Sequence, residues 1–188
     1  MTQRLIVGIS GASGVTYGVR ALELLREAQV ETHLVISSSA RLTLHHEIDR
    51  DIEDIRALAS QVYPVSDIGA AIASGSFITA GMLIAPCSVR TLSEIATGVT
   101  SSLLTRAADV VLKERRRLVL MLRETPLHTG HLRSMTQASE MGAIIAPPVP
   151  AFYTRPQTID EIVTQSVGRA LDLLGLNLPQ VKRWQGEA

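Results

Sequence analysis

Residues 4–14 read RLIVGISGASG and lead straight into VTYGVRALELLREA at 15–28. Leu5 to Ile9, with Gly8 inside, is an apolar run with the length and branching of a buried strand. It gives way to the small residues Ser10-Gly11-Ala12-Ser13-Gly14, after which Val15, Val19, Leu22, Leu25 and Arg26 fall at helical spacing. A strand, a small-residue loop and a helix N-terminus make an anion site. Backbone N–H groups point outward, the helix dipole favours negative charge, and no bulky side chain holds a phosphate away. The glycines, Gly8, Gly11 and Gly14, run G-x-x-G-x-x-G. That is neither the dinucleotide G-x-G-x-x-G nor a P-loop with its G-K-[ST]. A tight turn that binds nothing would have the same composition, so the stretch speaks first for a strand–loop–helix unit.

Outward from this unit, strand and helix signals alternate as in a βαβ fold with a mainly parallel sheet and helices on both faces. Further strands are expected at Thr32–Ile36, Met82–Ala85, Leu118–Leu122 and Ala143–Ala146. Helices are expected after Gly14 and at Ala40–Ile48, Ile52–Ala59, Val89–Ala96, Leu103–Arg115, Leu132–Met141 and Ile159–Leu174. The last carries Asp160 and Glu161 in its favoured acidic first turn. Residues 60–79, with Pro64, Gly69 and Gly75, read as loop plus a short turn. No linker or repeat divides the chain, and its 188 residues suit one domain, 1–188.

Composition narrows the functions. Lys plus Arg and Asp plus Glu number 18 each, which gives no electrostatic handle for nucleic acid or an anionic membrane. Hydrophobic residues make up 46% but aromatics only 3%, so the core must be aliphatic. No apolar run approaches the ~18 residues of a membrane span, and the first apolar run lacks the cleavage site of a signal peptide. The single cysteine, Cys87, excludes an internal disulfide and fits a reducing cytoplasm.

Polar residues gather where strands stop: Ser10 to Ser13, Ser37, Ser88 to Thr91, and Arg123-Glu124. In an open α/β sheet the ligand crevice lies beyond the carboxyl ends of strands. Four such clusters converge on one site more naturally than on four unrelated turns. Ser88 stands where a helix N-cap belongs, and Arg90 could reach the same anion. The basic run at Lys113, Arg115, Arg116 and Arg117 lacks interleaved aromatics and reads as a helix end favoured by the dipole. His128 and His131 have a metal-like spacing, but there is no H-E-x-x-H and Cys87 is remote, so no metal is expected. Cys87 reads as a small core thiol. Glu124 suits a loop salt bridge or an acid/base role equally, and Glu47 alone would pass for a surface acid. Trp184, near the C-terminus, suits either a tail anchor or a π-face for a ligand.

Taken together these residues resemble the UbiX-type flavin prenyltransferases, formerly described as polyprenyl-hydroxybenzoate or phenolic-acid decarboxylase subunits. The matching stretches are IVGISGASG (6–14), ETHLVIS (31–37), SGSF (74–77), PCSVRTL (86–92), RAADVVLKE (106–114), RETPLH (123–128), PPVPAFY (147–153) and RWQG (183–186). They span nearly the whole chain in the family's order. The resemblance implies a flavodoxin-like Rossmann fold assembled as a homo-dodecamer that binds FMN. Reduced FMN would accept a dimethylallyl group from dimethylallyl monophosphate at N5 and C6, and the prenylated flavin would pass to a UbiD-type decarboxylase. Carried over residue by residue, Gly11, Ala12, Ser13, Ser37, Ser88, Val89, Arg90, Thr91 and Arg123 match FMN contacts. Tyr153 and Arg169 match contacts to the prenyl phosphate, with Lys113 and Glu124 also at that phosphate. Ser13, Glu47 and Trp184 match residues around the reacting flavin edge.

The chemistry suits these roles. Breaking the allylic C–O bond develops a cation beside a departing phosphate. Magnesium-dependent prenyltransferases hold diphosphate through D-D-x-x-D, which is absent; the acidic stretch 49–54 has the wrong spacing and reads as a helix start. Fixed cations at Lys113, Arg123 and Arg169 are suited to neutralise the phosphate, and Tyr153 and Trp184 to face the allylic cation. Glu124 could deliver a proton to the leaving phosphate and Glu47 could take one from the flavin. Two positions depart from the family pattern. Arg90 stands where lysine is common, and Ser101-Ser102 replaces an Asp-containing turn. A competing function is an FMN-holding subunit without chemistry, which would have no need of Lys113, Glu124, Tyr153 and Arg169. A flavoprotein cysteine decarboxylase would need P-x-M-N-x-x-M-W, and a pyridine-nucleotide oxidoreductase would need G-x-G-x-x-G; neither is present.

Overall fold

The computed structural model describes residues 3–186. Its strands form one parallel sheet: β1 (Arg4–Ile9), β2 (Glu31–Ile36), β3 (Gln61–Tyr63), β4 (Gly81–Cys87), β5 (Arg117–Leu122) and β6 (Ala143–Ile145). Their spatial order is β3-β2-β1-β4-β5-β6. The chain therefore starts near the middle, winds to one edge through β2 and β3, then returns beside β1 and winds to the other. At that reversal an open α/β sheet leaves a crevice beyond the carboxyl ends of its strands.

The sheet is covered on both faces, as continuous apolar runs require. Leu5, Val7 and Ile9 face a layer made by α1 (Thr16–Glu27), α2 (Ser38–Glu47), α3 (Ile52–Arg56) and α7 (Ile159–Asp172). Ile6, Met82, Ile84, Leu118 and Leu120 face the other layer, made by α4 (Val89–Thr97), α5 (Leu103–Lys113) and α6 (Thr129–Glu140). The buried hydrophobic side chains are aliphatic, joined by Met82, Met121 and Cys87, while Tyr17, Tyr63 and Phe77 pack at the margins. Among the described residues no helix is long and apolar enough to cross a membrane.

The sheet has one strand more than the sequence suggests. Gln61–Tyr63 lies inside the stretch read as loop, and three residues are too few for an alternation to show. Its place is set by pairing with β2 and by a 3.0 Å hydrogen bond between the Tyr63 hydroxyl and His33 Nδ1. The strand expected to close at Ala85 runs through Pro86 to Cys87. A register shift between Ile84 and Cys87 accommodates the ladder bond that proline cannot donate. The helix α5 ends at Lys113 rather than Arg115, because Arg115 adopts a φ of +57°. The helix α6 begins at Thr129, ahead of the expected Leu132. His128 Nδ1 caps it, accepting from the N–H groups of Gly130 (3.0 Å) and His131 (3.4 Å). Imidazole is outside the usual set of capping side chains, so the sequence carries no signal for that start. At the other helices only terminal residues differ.

Candidate active site

Backbone and side-chain bonds draw the ends of four strands together. Ser37 N–H donates to Ile9 O (2.9 Å), tying β2 to β1, and Arg123 N–H donates to Cys87 O (3.0 Å), tying β5 to β4. Between β1 and β4 the tie is a side chain. The buried Ser10 hydroxyl donates to Pro86 O (2.8 Å) and accepts from Ser88 N–H (2.8 Å). Ser10 belongs to a polar cluster visible in the sequence, but its task of coupling the two loops is not.

These ties place the serine and glycine loops around one hollow. Ser37 Oγ caps α2 by accepting from Ala40 N–H (3.1 Å), and Ser88 Oγ caps α4 by accepting from Thr91 N–H (3.2 Å). The Ser88 hydroxyl also donates to Thr91 Oγ1 (3.1 Å). Both capped N-termini open on a cavity of about 310 Å³ that is also lined by Ser39, Arg90 and Ser101. Two helix N-termini converging on a hydroxyl-lined hollow suit a phosphate. Arg90 reaches out over it, its Nε donating to Glu94 Oε1 (3.0 Å), while Glu94 Oε2 accepts from the Ser101 hydroxyl (2.7 Å). The Ser101 departure thus has a local logic. Aspartate there would bring a second carboxylate against Glu94, whereas serine donates to it.

The loop 11–14 is packed too tightly for larger residues. A Cβ on Gly11 would stand 2.3 Å from Ser39 Oγ, and one on Gly14, at φ +94°, would stand 2.9 Å from Arg123 Cδ. Arg123 therefore lies across the loop that ends β1, with exposed Glu124 beside it, its Oε1 accepting from Thr125 N–H (3.0 Å). Ser13 is exposed at the loop's tip, and Ala12 and Val89 are half-buried. These placements bring Gly11, Ala12, Ser13, Ser37, Ser88, Val89, Arg90, Thr91, Arg123 and Glu124 to the same end of the sheet.

Glu47 joins them in an unexpected way. Its Oε2 accepts from Gly14 N–H (2.7 Å) and Val15 N–H (3.1 Å). The N-terminus of α1, read from the sequence as the phosphate seat, is thus answered by the protein's own carboxylate. The N-termini of α2 and α4, by contrast, face the cavity. No spacing rule links position 47 to positions 14 and 15, because the contact spans a βα unit.

Tyr153 and Trp184 form a second group. Tyr153 sits in a 3-10 turn, Phe152–Thr154, and Trp184 meets it edge to face with ring centroids 5.7 Å apart. Arg169 lines a cavity of about 160 Å³ between α7 and residues 146–151 and is ion-paired with Asp172. Lys113 stands apart from both groups. It ends α5, just before β5 begins, whereas Glu124 follows the end of β5. A six-residue strand separates them by about 20 Å. Lys113 is at the amino end of the sheet, paired with Glu114. The hydrogen bond from Lys113 holds the Glu114 carboxyl below the usual carboxylate range. One chain does not bring Lys113 to the crevice.

The other candidates take structural roles. Arg116 donates to Phe77 O (2.6 Å) and Gly75 O (2.8 Å), which staples the loop before β4. Burial pushes the Cys87 thiol up to about 12, so it is the inert core residue expected. His128 is spent as a helix cap and stacks on His131 with centroids 3.6 Å apart. Asp51 caps α3 by accepting from Glu53 N–H (2.9 Å), as a helix start in the acidic stretch requires.

A doubly covered parallel sheet whose switch-point crevice is ringed by capped helix N-termini defines a nucleotide-binding α/β protein of the flavodoxin type, and the flavoprotein family pattern matches residues 1–171. The flavin prenyltransferase UbiX of Escherichia coli K12 is 59% identical over 187 residues, covering 98% of this chain and 99% of that one. The structure of AnUbiX (PadA1) in complex with FMN and dimethylallyl pyrophosphate superposes with a TM-score of 0.98 at 46% identity, over the full length of both chains. A dodecameric FMN-dependent UbiX-like decarboxylase from E. coli O157:H7 gives 0.95 at 49% identity, covering 98% of this chain and all of that one. The chain belongs to the UbiX flavin prenyltransferases.

Proposed function

We propose that this chain transfers the dimethylallyl group of dimethylallyl monophosphate to reduced FMN without a metal, yielding prenylated FMN for a UbiD-type decarboxylase in the cytoplasm. The observation that carries this reading is the switch-point crevice, where the capped N-termini of α2 and α4 and the Arg123–Glu124 pair meet the glycine loop. FMN supplies the nucleophilic N5 and C6 to which the prenyl group bonds. Ser37, Ser88 and Thr91 hold the flavin phosphate at helix N-termini, with Arg90 as outer counter-charge. Arg123, lying across Gly14, presents its guanidinium to charge that builds on the departing phosphate. Glu124 is placed next to it to deliver a proton to that phosphate. Glu47 spends Oε2 on the α1 N-terminus, and Oε1 can accept a proton at the flavin edge. Tyr153 and Trp184 face the allylic cation, and Arg169 meets the phosphate.

Lys113 enters from another copy of the chain. Its place at the amino end of the sheet leaves no route to the phosphate of its own subunit, and the E. coli O157:H7 relative is dodecameric. A homo-oligomer, by resemblance a dodecamer, supplies it in trans.

The test is phosphate release under anaerobic conditions with a chelator present. The reading expects inorganic phosphate from dimethylallyl monophosphate only when FMN is reduced. Release that needs added magnesium would remove the metal-free claim. No release with reduced FMN bound would favour the FMN-carrier alternative.

A further inference from the structure

One face of α7 serves as a seat for the C-terminal segment. Gln165 is buried, and both ends of its amide are used on a single residue. Nε2 donates to Lys182 O (2.8 Å) and Oε1 accepts from Lys182 N–H (2.9 Å), as a neighbouring strand would. Two turns along, Asp172 accepts two bonds from Arg183, at 3.0 and 2.8 Å. Between them, at the same face, Gly168 lies so close to the segment that a Cβ would stand 2.2 Å from Val181 Cγ2. The carbonyl of Lys182 that Gln165 holds also accepts from the Tyr153 hydroxyl (3.3 Å). Two residues beyond, Trp184 rests edge-on against the Tyr153 ring.

We propose that Gln165 is a positioning residue for the prenyl-phosphate end of the site, acting through Lys182 to set the Tyr153–Trp184 pair. A primary amide paired with both backbone groups of one residue fixes that residue's translation and rotation together. Tyr153, Trp184 and Arg169 then all take their positions from α7. The inference rests on the prenyltransferase reading for the effect on substrate, but not for the effect on the tail. Trp184 is the chain's only tryptophan, so its fluorescence anisotropy reports the segment directly, without any ligand.

The test compares wild type with Gln165→Met, which keeps length and burial and removes both bonds. The expected result is lower Trp184 anisotropy, unchanged FMN affinity, and a KM for dimethylallyl monophosphate raised about tenfold with a smaller change in kcat, as the loss of one or two well-placed hydrogen bonds implies. A second variant keeps the test sound if that protein does not fold. Gly168→Ala improves helix propensity yet drives a methyl into Val181, so it should reproduce the phenotype. Adding Val181→Ala, whose Cβ would lie 3.6 Å away, should restore the wild-type values. Wild-type anisotropy in both Gln165→Met and Gly168→Ala overturns the proposal, as does lowered anisotropy with an unchanged KM. Should wild type transfer no prenyl group at all, the functional reading falls, and anisotropy alone decides whether Gln165 sets the tail.

Discussion

At the scale of single residues, Glu47 shows how a side chain can serve fold and chemistry at once. Its carboxylate holds the N-terminus of α1, so Glu47→Ala should cost about 1 kcal/mol, a melting temperature lower by roughly 2–4 °C in a chain of this size, besides its effect on turnover. An unchanged melt would mean the bonds to Gly14 and Val15 contribute nothing. His33 offers a pH test. Burial holds its imidazole below the ordinary value, against the pull of Glu31, whose Oε1 lies 3.1 Å from Nε2. Tyr63 faces the other ring nitrogen, and Arg4 shares Glu31. The folded state therefore prefers neutral His33, and the unfolded chain takes up its proton first. Stability should be full above about pH 6.5 and decline as pH falls through that value, and His33→Gln should flatten the decline in thermal melts. The gathering of Ser37, Ser88 and Arg123 at one end of the sheet was legible, because each follows a recognisable strand. Glu47 on the α1 N-terminus and His128 as a cap were not, since each depends on a contact that no local pattern encodes.

At the scale of elements, the strand order creates the crevice, and one buried hydroxyl couples its two walls. Ser10→Ala leaves Ser88 N–H without its partner, which should cost about 1–3 kcal/mol and loosen the α4 N-terminus. Titration of FMN should show weaker binding, and unchanged affinity would mean the β1 and β4 loops hold their places independently. The alternation of long strands and helices was readable because each carries enough residues for its period to emerge. The strand β3 was missed because three residues carry none. The extension of β4 through Pro86 was missed because proline normally ends a central strand.

At the scale of the whole molecule, the sequence groups residues that one chain keeps apart. RAADVVLKE and RETPLH both match the family, yet the crossover helix that ends in Lys113 must finish at the amino end of a parallel sheet, while Arg123 and Glu124 follow its carboxyl end. The proposed homo-oligomer would reconcile them. Lys113→Ala and Glu124→Gln should each abolish most prenyl transfer when pure. Oligomers reassembled from a mixture of the two should regain part of the activity, because some sites then receive Glu124 from one copy and Lys113 from another. Mixtures as inactive as the parents would contradict the supply of Lys113 from a second copy. The most direct measurement of the central claim is the mass of the flavin itself. Protein incubated anaerobically with reduced FMN and dimethylallyl monophosphate, then denatured, should release FMN heavier by one five-carbon prenyl unit, and the Glu124→Gln protein should release little of it. Unmodified FMN recovered from wild-type protein that demonstrably binds both compounds would contradict the account.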